Sequence, residues 1–134
     1  MSLTVTSAKS ILLIEDDSVD AMTVRRALKE IGSTRRLDHY LNGEEALDYL
    51  GTVGGEDLPG LILLDLNMPR MNGLEFLEVR AGDERFREIP VVVLSTSTNA
   101  HDIERSYELG AVGYIVKSID YANFVDSIRH LDLY

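Results

Sequence analysis

Cysteine is absent from this 134-residue sequence, and basic residues are few beside acidic ones. Without cysteine the chain has no disulfides, no thiolate metal ligands and no cysteine nucleophile. Its 13 Lys and Arg against 23 Asp and Glu give a formal net charge of −10. This charge argues against non-specific nucleic-acid binding, which needs a basic surface. It suits partners that are proteins or cations, although it also serves simply to keep a small protein in solution.

Long hydrophobic runs, internal repeats, low-complexity stretches and linkers are absent as well. No apolar run approaches the roughly 18 residues that a membrane span needs. Met1 to Ser10 contains one lysine and no long apolar stretch, so we expect no signal peptide and a cytoplasmic location. The length fits one domain, residues 1–134. The longest loop-like segment, Gly51 to Gly60, reads as a connection inside that domain.

What the sequence does contain is a series of short apolar runs that read as strands. Continuous apolar character, without alternation, predicts strands that are covered on both faces, as in a parallel sheet. Three runs are strong and two are weaker: Ile11–Ile14, Leu61–Leu64 and Val91–Leu94, then Leu37–Leu41 and Gly113–Val116.

Helical patterns fall between these runs and after the last. Asn42 with Glu45 three residues later resembles a capping box before a helix at Ala46–Leu50, and Asn99 is a candidate cap for a later helix. Apolar residues at helical spacing or helix-like composition mark the other segments: Ala21–Ile31, Gly73–Ala81, His101–Leu109 and Tyr121–Leu131.

The order is therefore strand then helix, five times, which predicts a parallel sheet with helices on both faces. Right-handed crossovers place the carboxyl ends of all the strands at one edge of the sheet. Ligands in such folds bind at that edge. The residues directly after each strand are therefore the ones to inspect for chemistry.

Charged and hydroxyl residues stand at these strand ends. Glu15 and Asp16 follow the first strand, Asp65 ends the third, Ser95 ends the fourth and Lys117 follows the fifth. Two carboxylates 4–6 Å apart repel by roughly 3–4 kcal/mol at an effective dielectric of 20. Three converging carboxylates therefore favour a bound cation or a retained proton. As hard oxygen ligands they suit magnesium better than zinc or copper.

A metal, a lysine, a hydroxyl and an accessible carboxylate together suit phosphoryl transfer, with the carboxylate as nucleophile. Each residue alone has a simpler interpretation. Glu15 to Asp17 could be a solvated turn that caps the next helix, Asp65 a turn residue, Ser95 a partner for a strand end, and Lys117 an ordinary surface lysine. Their joint occurrence at different strand ends favours the functional interpretation.

The same segments resemble the response-regulator receiver domain of two-component systems, over nearly the whole chain. The resemblance implies a flavodoxin-like doubly wound (βα)5 fold with strand order 2-1-3-4-5 and a domain core of about residues 9–132. The segments that carry it are Ile11–Asp17, Leu63–Pro69, Asn72-Gly73, Ile89–Val91, Leu94–Thr96 and Gly113–Lys117.

The resemblance also implies a role for each residue at the strand ends. Asp65 matches the phosphoacceptor, and Lys117 matches the lysine that pairs with the phosphoryl group. Ser95 matches the switch hydroxyl and Tyr114 the aromatic whose rotation reports phosphorylation. The Mg²⁺ ligands are expected to be the carboxylates of Glu15, Asp16 and Asp65 and the main-chain carbonyl of Asn67.

Two positions depart from the family pattern. Glu15 replaces the commoner aspartate, and Ser118 replaces the proline that usually follows the lysine. In the family that Lys-Pro bond is usually cis. We expect Lys117-Ser118 to be cis as well, because the lysine must still reach the phosphoryl group, although a cis bond before serine costs about 3 kcal/mol.

The implied function is that of a stand-alone regulator, not an enzyme, that receives a phosphoryl group from a sensor histidine kinase. Its output is expected to pass to a downstream protein or phosphotransfer partner, without DNA or membrane binding. The surface of the fourth helix, fifth strand and fifth helix is expected to carry the signal, and the same face could support a homodimer. Asp102–Ala111 and the Lys117-Ser118 step resemble single-domain receivers that partner phytochrome-type kinases.

Two alternatives remain open from the sequence. One is an aspartate-nucleophile phosphohydrolase, which usually has a second aspartate shortly after the nucleophile, where Asn67 and Met68 stand here. The other is a degenerate receiver that signals without phosphate. The retained acidic pair, Asp65, Ser95 and Lys117 argue against the second.

Overall fold

A computed structural model describes residues 9–134. The prediction that no signal peptide is present concerns Met1 to Ser10, most of which lies outside the described residues. Five strands form one sheet, with every neighbouring pair parallel and the order β2-β1-β3-β4-β5. The predicted flavodoxin-like fold class is therefore confirmed. The strands are β1 (Ile11–Ile14), β2 (Leu37–Tyr40), β3 (Leu61–Asp65), β4 (Val91–Ser95) and β5 (Gly113–Val116).

Within residues 9–134, five α-helices alternate with the strands as predicted. Asn99 caps the fourth, because its side chain accepts a hydrogen bond from the His101 amide at 2.8 Å. No helix between residues 9 and 134 is long and apolar enough to cross a membrane. The helices are α1 (Ser18–Glu30), α2 (Gly43–Leu50), α3 (Gly73–Ala81), α4 (Ala100–Glu108) and α5 (Tyr121–Leu131), with a short 3-10 turn at Gly55–Asp57.

The core lies on both faces of the sheet, as continuous apolar strands require. On one face Leu12 and Ile14 of β1 pack in a cluster with residues of α2 and α3. On the other face Ile11 and Leu13 pack in a cluster with residues of α1 and α5. Every residue of β1, β3 and β4 is buried, whereas β2 and β5 are half-buried edge strands. The central strands therefore hold their ends rigidly for the site.

The caps of α2 and α4 are the predicted residues, but α2 differs from the prediction in two details. Asn42 accepts a hydrogen bond from the Glu45 amide at 2.9 Å, but the Glu45 carboxylate accepts from the Leu41 amide instead of returning to Asn42. The helix also begins at Gly43, three residues earlier than predicted. The reciprocal capping box is at α3, between Asn72 and Glu75, and its helix begins at the residue after the cap.

Candidate functional site

The site lies at the carboxyl edge of the sheet, where β1, β3 and β5 end. Glu15 directly follows β1, Asp65 is the last residue of β3, and Lys117 directly follows β5. The Lys117 ammonium lies 2.7 Å from a carboxylate oxygen of Glu15 and 3.4 Å from one of Asp65. Because β4 lies between β3 and β5, the lysine side chain reaches past β4 to join the two acids.

Three carboxylates converge beside this lysine, as the sequence predicts. Glu15, Asp16 and Asp65 each offer an oxygen within 4.8 Å of the others. Glu15 and Asp65 are buried, whereas Asp16 is exposed. Three hard oxygen donors at this spacing, open to solvent on one side, fit a cation that prefers oxygen ligands and keeps some of its water.

Asp17, the third acid in the run, has a different task. Its carboxylate accepts hydrogen bonds from the amides of Val19 at 2.8 Å and Asp20 at 3.1 Å, and so caps α1. The acidic run is therefore divided, since Glu15 and Asp16 join the cluster of carboxylates and Asp17 caps the helix.

The electrostatics of the site follow from its burial. Burial raises the pKa of Glu15 to about 8; Lys117 opposes this effect, and Asp65 adds to it. Burial also raises the pKa of Asp65, although Glu15, Lys117 and the Asn67 amide all favour its ionised form. Burial alone would lower the pKa of Lys117, but its contacts with Asp20 and Glu15 outweigh burial and raise it. The lysine is therefore a fixed positive charge.

The loop after β3 is packed tightly under Asp65. The Asn67 amide donates to Asp65 Oδ1 at 3.2 Å, and the Gly73 amide donates to the Leu66 carbonyl at 3.0 Å. A Cβ on Gly73 would lie 2.6 Å from the Asp65 carbonyl oxygen, so only glycine fits there without a backbone shift. Within the same loop Arg70 has a φ of 65°, a conformation that non-glycine residues rarely adopt.

Ser95 ends β4 as predicted, but its side chain does not line the acidic pocket. The residue is fully buried, and its hydroxyl oxygen accepts a hydrogen bond from the Ser97 amide at 3.0 Å. The next residue, Thr96, lines the pocket together with Asp65, Asn67 and the other acids. A role for Ser95 at Asp65 therefore requires its hydroxyl to turn towards the pocket.

Tyr114, the predicted switch aromatic, is half-buried in β5. Its hydroxyl donates a hydrogen bond to the main-chain oxygen of Ser97 at 2.9 Å. The ring is thus held by the loop after β4.

The expectation of a cis Lys117-Ser118 bond is wrong. No peptide bond in residues 9–134 is cis, and Lys117 still points at Asp65. The trans form is the lower-energy one before serine, and the lysine side chain is long enough to reach the site from it.

Asp20 is the site residue that the sequence argument missed. Its carboxylate lies 2.7 Å from the Lys117 ammonium, as close as that of Glu15. Asp20 stands in the first turn of α1, where an acidic residue is ordinarily explained by the helix dipole. The sequence feature that could have identified Asp20 is its position three residues after Asp17, which directs its side chain back towards the strand ends.

The chain matches a family model and is similar to several known proteins. The family model "Response regulator receiver domain" matches residues 11–129. Probable methanogenesis regulatory protein FilR2 of Methanothrix harundinacea is 38% identical over 126 residues, which cover 92% of this chain and 81% of that protein. Response regulator Rcp1 of Synechocystis is 40% identical over 117 residues, covering 82% of this chain and 77% of Rcp1.

Two solved structures are similar throughout. The phosphorylated cyanobacterial phytochrome response regulator RcpA superposes with a TM-score of 0.82 at 36% identity, covering 93% of this chain and 91% of RcpA. The Mn²⁺-bound form of response regulator Rcp1 superposes with a TM-score of 0.80 at 35% identity, covering 94% of this chain and 93% of that one.

Proposed function

This chain belongs to the family of response regulator receiver domains, and from this premise we propose that Asp65 accepts a phosphoryl group from a histidine kinase. The observation that carries the proposal is the position of Asp65, buried at the end of β3. Lys117 lies 3.4 Å away, and oxygens of Glu15 and Asp16 lie within 4.8 Å. Members of this family are regulatory phosphoacceptor domains of two-component signalling.

The transfer makes one bond and breaks one. A carboxylate oxygen of Asp65 forms a bond to phosphorus while the bond from phosphorus to the kinase histidine breaks. The imidazole leaves with the electron pair and takes up a proton from solvent. Asp65 must be ionised to attack, and Lys117 and the Asn67 amide favour that form. Lys117 remains an ammonium and offsets charge on the phosphoryl oxygens.

We propose Mg²⁺ as the cofactor, held by the carboxylates of Glu15, Asp16 and Asp65 and by the main-chain carbonyl of Asn67. A bound divalent cation would neutralise charge on the transferred group. The donor set fits, because it consists of three hard oxygen donors within 4.8 Å of one another, two of them on buried carboxylates. The Mn²⁺-bound form of Rcp1 supports this assignment by similarity.

The proposed output is a change of the face formed by α4, β5 and α5. Phosphorylation adds nearly two negative charges beside Asp65. Hydrogen bonds from Ser95 and Lys117 to charged oxygens are worth about 1.5–3 kcal/mol each. Two such bonds are comparable to the roughly 5.5 kcal/mol that moves a two-state equilibrium from 1:99 to 99:1. Tyr114 connects the loop after β4 to this face through its hydrogen bond to Ser97. The same face could also support a homodimer.

A phytochrome-type sensor kinase is the proposed donor. The support is the similarity to RcpA, whose structure is described as that of a cyanobacterial phytochrome response regulator. Phosphotransfer from a panel of purified histidine kinases, phytochrome-type and others, tests this assignment. A preference for a kinase of another class would contradict it.

Incubation with acetyl phosphate and Mg²⁺ tests the central proposal and separates it from its rivals. We expect one acid-labile phosphoryl group on the intact protein and none on Asp65→Asn. A phosphohydrolase would instead turn over a phosphate ester, and a degenerate receiver would remain unmodified. Modification that persists in Asp65→Asn would place the acceptor elsewhere.

A further inference from the structure

We propose that Asp20 is a positioning residue for phosphoryl transfer, which accepts a hydrogen bond from the Lys117 ammonium and so holds it beside Asp65. This inference rests on the proposed function of Asp65. Asp20 contacts Lys117, whose ammonium is in turn placed to contact the transferred group, so Asp20 acts through the lysine.

The geometry of the ammonium carries the inference. A lysine ammonium has three N–H donors, and three carboxylates surround this one. Glu15 and Asp20 each lie 2.7 Å from Nζ, while Asp65 lies 3.4 Å away. Of these three contacts only the one with Asp20 has hydrogen-bond geometry, so Asp20 fixes the direction of one N–H and holds the ammonium beside Asp65, where the phosphoryl group would be built.

Lys117 needs such a support because its side chain has room to move. The lysine stem is flexible, and it borders a cavity of about 300 Å³ whose lining does not include Asp65. Without Asp20 the ammonium would keep only its ion contacts with Glu15 and Asp65 and could turn into that space.

Asp20 is itself held in place by the start of α1. Its amide donates to the Asp17 carboxylate at 3.1 Å, so the backbone that carries Asp20 is fixed by the helix cap. The salt bridge joins α1 to the residue after β5 across 97 positions of sequence. A rigid helix thus sets the position of a flexible catalytic cation.

The test compares two substitutions of Asp20 with a matched control. Asp20→Ala removes both the charge and the acceptor oxygen, whereas Asp20→Asn removes the charge and keeps an acceptor oxygen. Asp17→Asn is the control, because it removes a carboxylate from the same pocket while asparagine remains a good helix cap. Each protein is phosphorylated with increasing acetyl phosphate at saturating Mg²⁺, and the rate of uptake is recorded.

In this reaction the Asp65 oxygen bonds to phosphorus as the phosphorus–oxygen bond to acetate breaks, and acetate leaves with the electron pair. We expect Asp20→Ala to lower the maximal rate about tenfold, the value of one charge-assisted hydrogen bond. The half-saturating acetyl phosphate concentration should change little. Asp20→Asn and Asp17→Asn should each change the rate by less than about threefold, as expected for partly exposed charges.

Two further readouts separate positioning from a merely structural role. The Lys117 Nζ–H resonance should be observable in wild-type protein and in Asp20→Asn, and should be lost to solvent exchange in Asp20→Ala. The Mg²⁺ affinity, measured by thermal stabilisation, should be unchanged in all three variants, because Asp20 lies outside the cluster of converging carboxylates.

Several results would overturn the inference. Equal rate losses in all three variants would assign the effect to the loss of charge in the pocket. If wild-type protein were phosphorylated and the variants took up phosphoryl groups at the same rate, Asp20 would have no positioning role. Loss of Mg²⁺ binding in Asp20→Ala, as in Asp16→Ala, would make Asp20 a metal ligand instead. A wild-type protein that takes up no phosphoryl group would refute the proposed function itself, a result distinct from these.

Discussion

The hydroxyl of Tyr114 is hydrogen-bonded to the main-chain oxygen of Ser97 at 2.9 Å. The amide of Ser97 donates to the hydroxyl oxygen of Ser95 at 3.0 Å, and its side chain donates to Asp102 of α4 at 2.7 Å. One residue therefore joins the proposed switch serine, the switch tyrosine and the first turn of α4. A movement of Ser95 towards a phosphoryl group would act on Ser97 and, through it, on Tyr114 and Asp102.

Tyr114→Phe should uncouple this connection while leaving the phosphorylation chemistry intact. Loss of the hydroxyl should lower the free energy of unfolding by about 1 kcal/mol. Beryllofluoride, a phosphoryl mimic, should still perturb the NMR signals of the Asp65 loop, but its effect along α4 should shrink. Tyr107→Phe, at an exposed tyrosine of α4, serves as the control. Undiminished changes along α4 in Tyr114→Phe would contradict the coupling.

Mg²⁺ should stabilise the folded protein, because a ligand that binds only the native state adds to its stability. At a concentration a hundred times the dissociation constant the gain is about 2.7 kcal/mol, measurable as a rise in Tm. Asp16→Ala should remove most of the gain, and Asp48→Ala, at an exposed acid of α2, should remove none. An unchanged wild-type Tm in millimolar Mg²⁺ would refute the metal site.

Without metal, the protein should lose stability as pH rises from about 4.5 to 8. The pKa of Glu15 is about 8 in the fold and 4.5 as a free side chain. In that interval the native state holds a proton that the unfolded chain releases, so the free energy of unfolding falls with pH. The contribution of the Glu15 proton to the free energy of unfolding is fully present below pH 4.5 and lost above pH 8.

Glu15→Gln removes this titrating group and isolates its effect. Denaturant unfolding in a chelating buffer at several pH values should show a smaller fall with pH for the variant than for wild-type protein. Parallel pH profiles for the two proteins would show that Glu15 does not titrate in this range.

Gly73→Ala should destabilise the protein and disturb Asp65. The added Cβ would come within 2.6 Å of the Asp65 carbonyl and 2.7 Å of the Leu66 Cα, and overpacking of this kind costs about 1–3 kcal/mol. Gly54→Ala is the matched control, since Gly54 has a φ of −72° and no atom within 4 Å of its added Cβ. Equal free energies of unfolding in the two variants would contradict this packing argument.

Much of the fold could be predicted because local pattern and tertiary environment agree. The run Ile11–Ile14 is apolar throughout and is buried throughout, so its strand could be identified without knowing its neighbours. Boundaries were less predictable. The start of α2 at Gly43 depends on where the Asn42 side chain turns, and glycine on its own is a poor indicator of helix.

The site was predictable where the backbone alone sets the position of a side chain. Glu15 and Asp65 converge because parallel strands end at one edge. The position of Asp20 three residues after Asp17 indicates its direction, but not that it meets Lys117. That contact and the hydrogen bond of Tyr114 to Ser97 depend on side-chain rotamers and on packing between distant segments. The wrong expectation at Lys117-Ser118 came from the family's proline and not from the residue present.

The run of three acids after β1 shows that the order of these residues matters as well as their number. Exchanging Glu15 and Asp16 would leave the composition, net charge and hydrophobic pattern of the chain unchanged. The shorter carboxylate would then occupy the buried position, one methylene further from the Lys117 ammonium, and the longer one would stand in solvent. Two sequences that are identical in every bulk property would thus differ in how firmly they hold their catalytic cation.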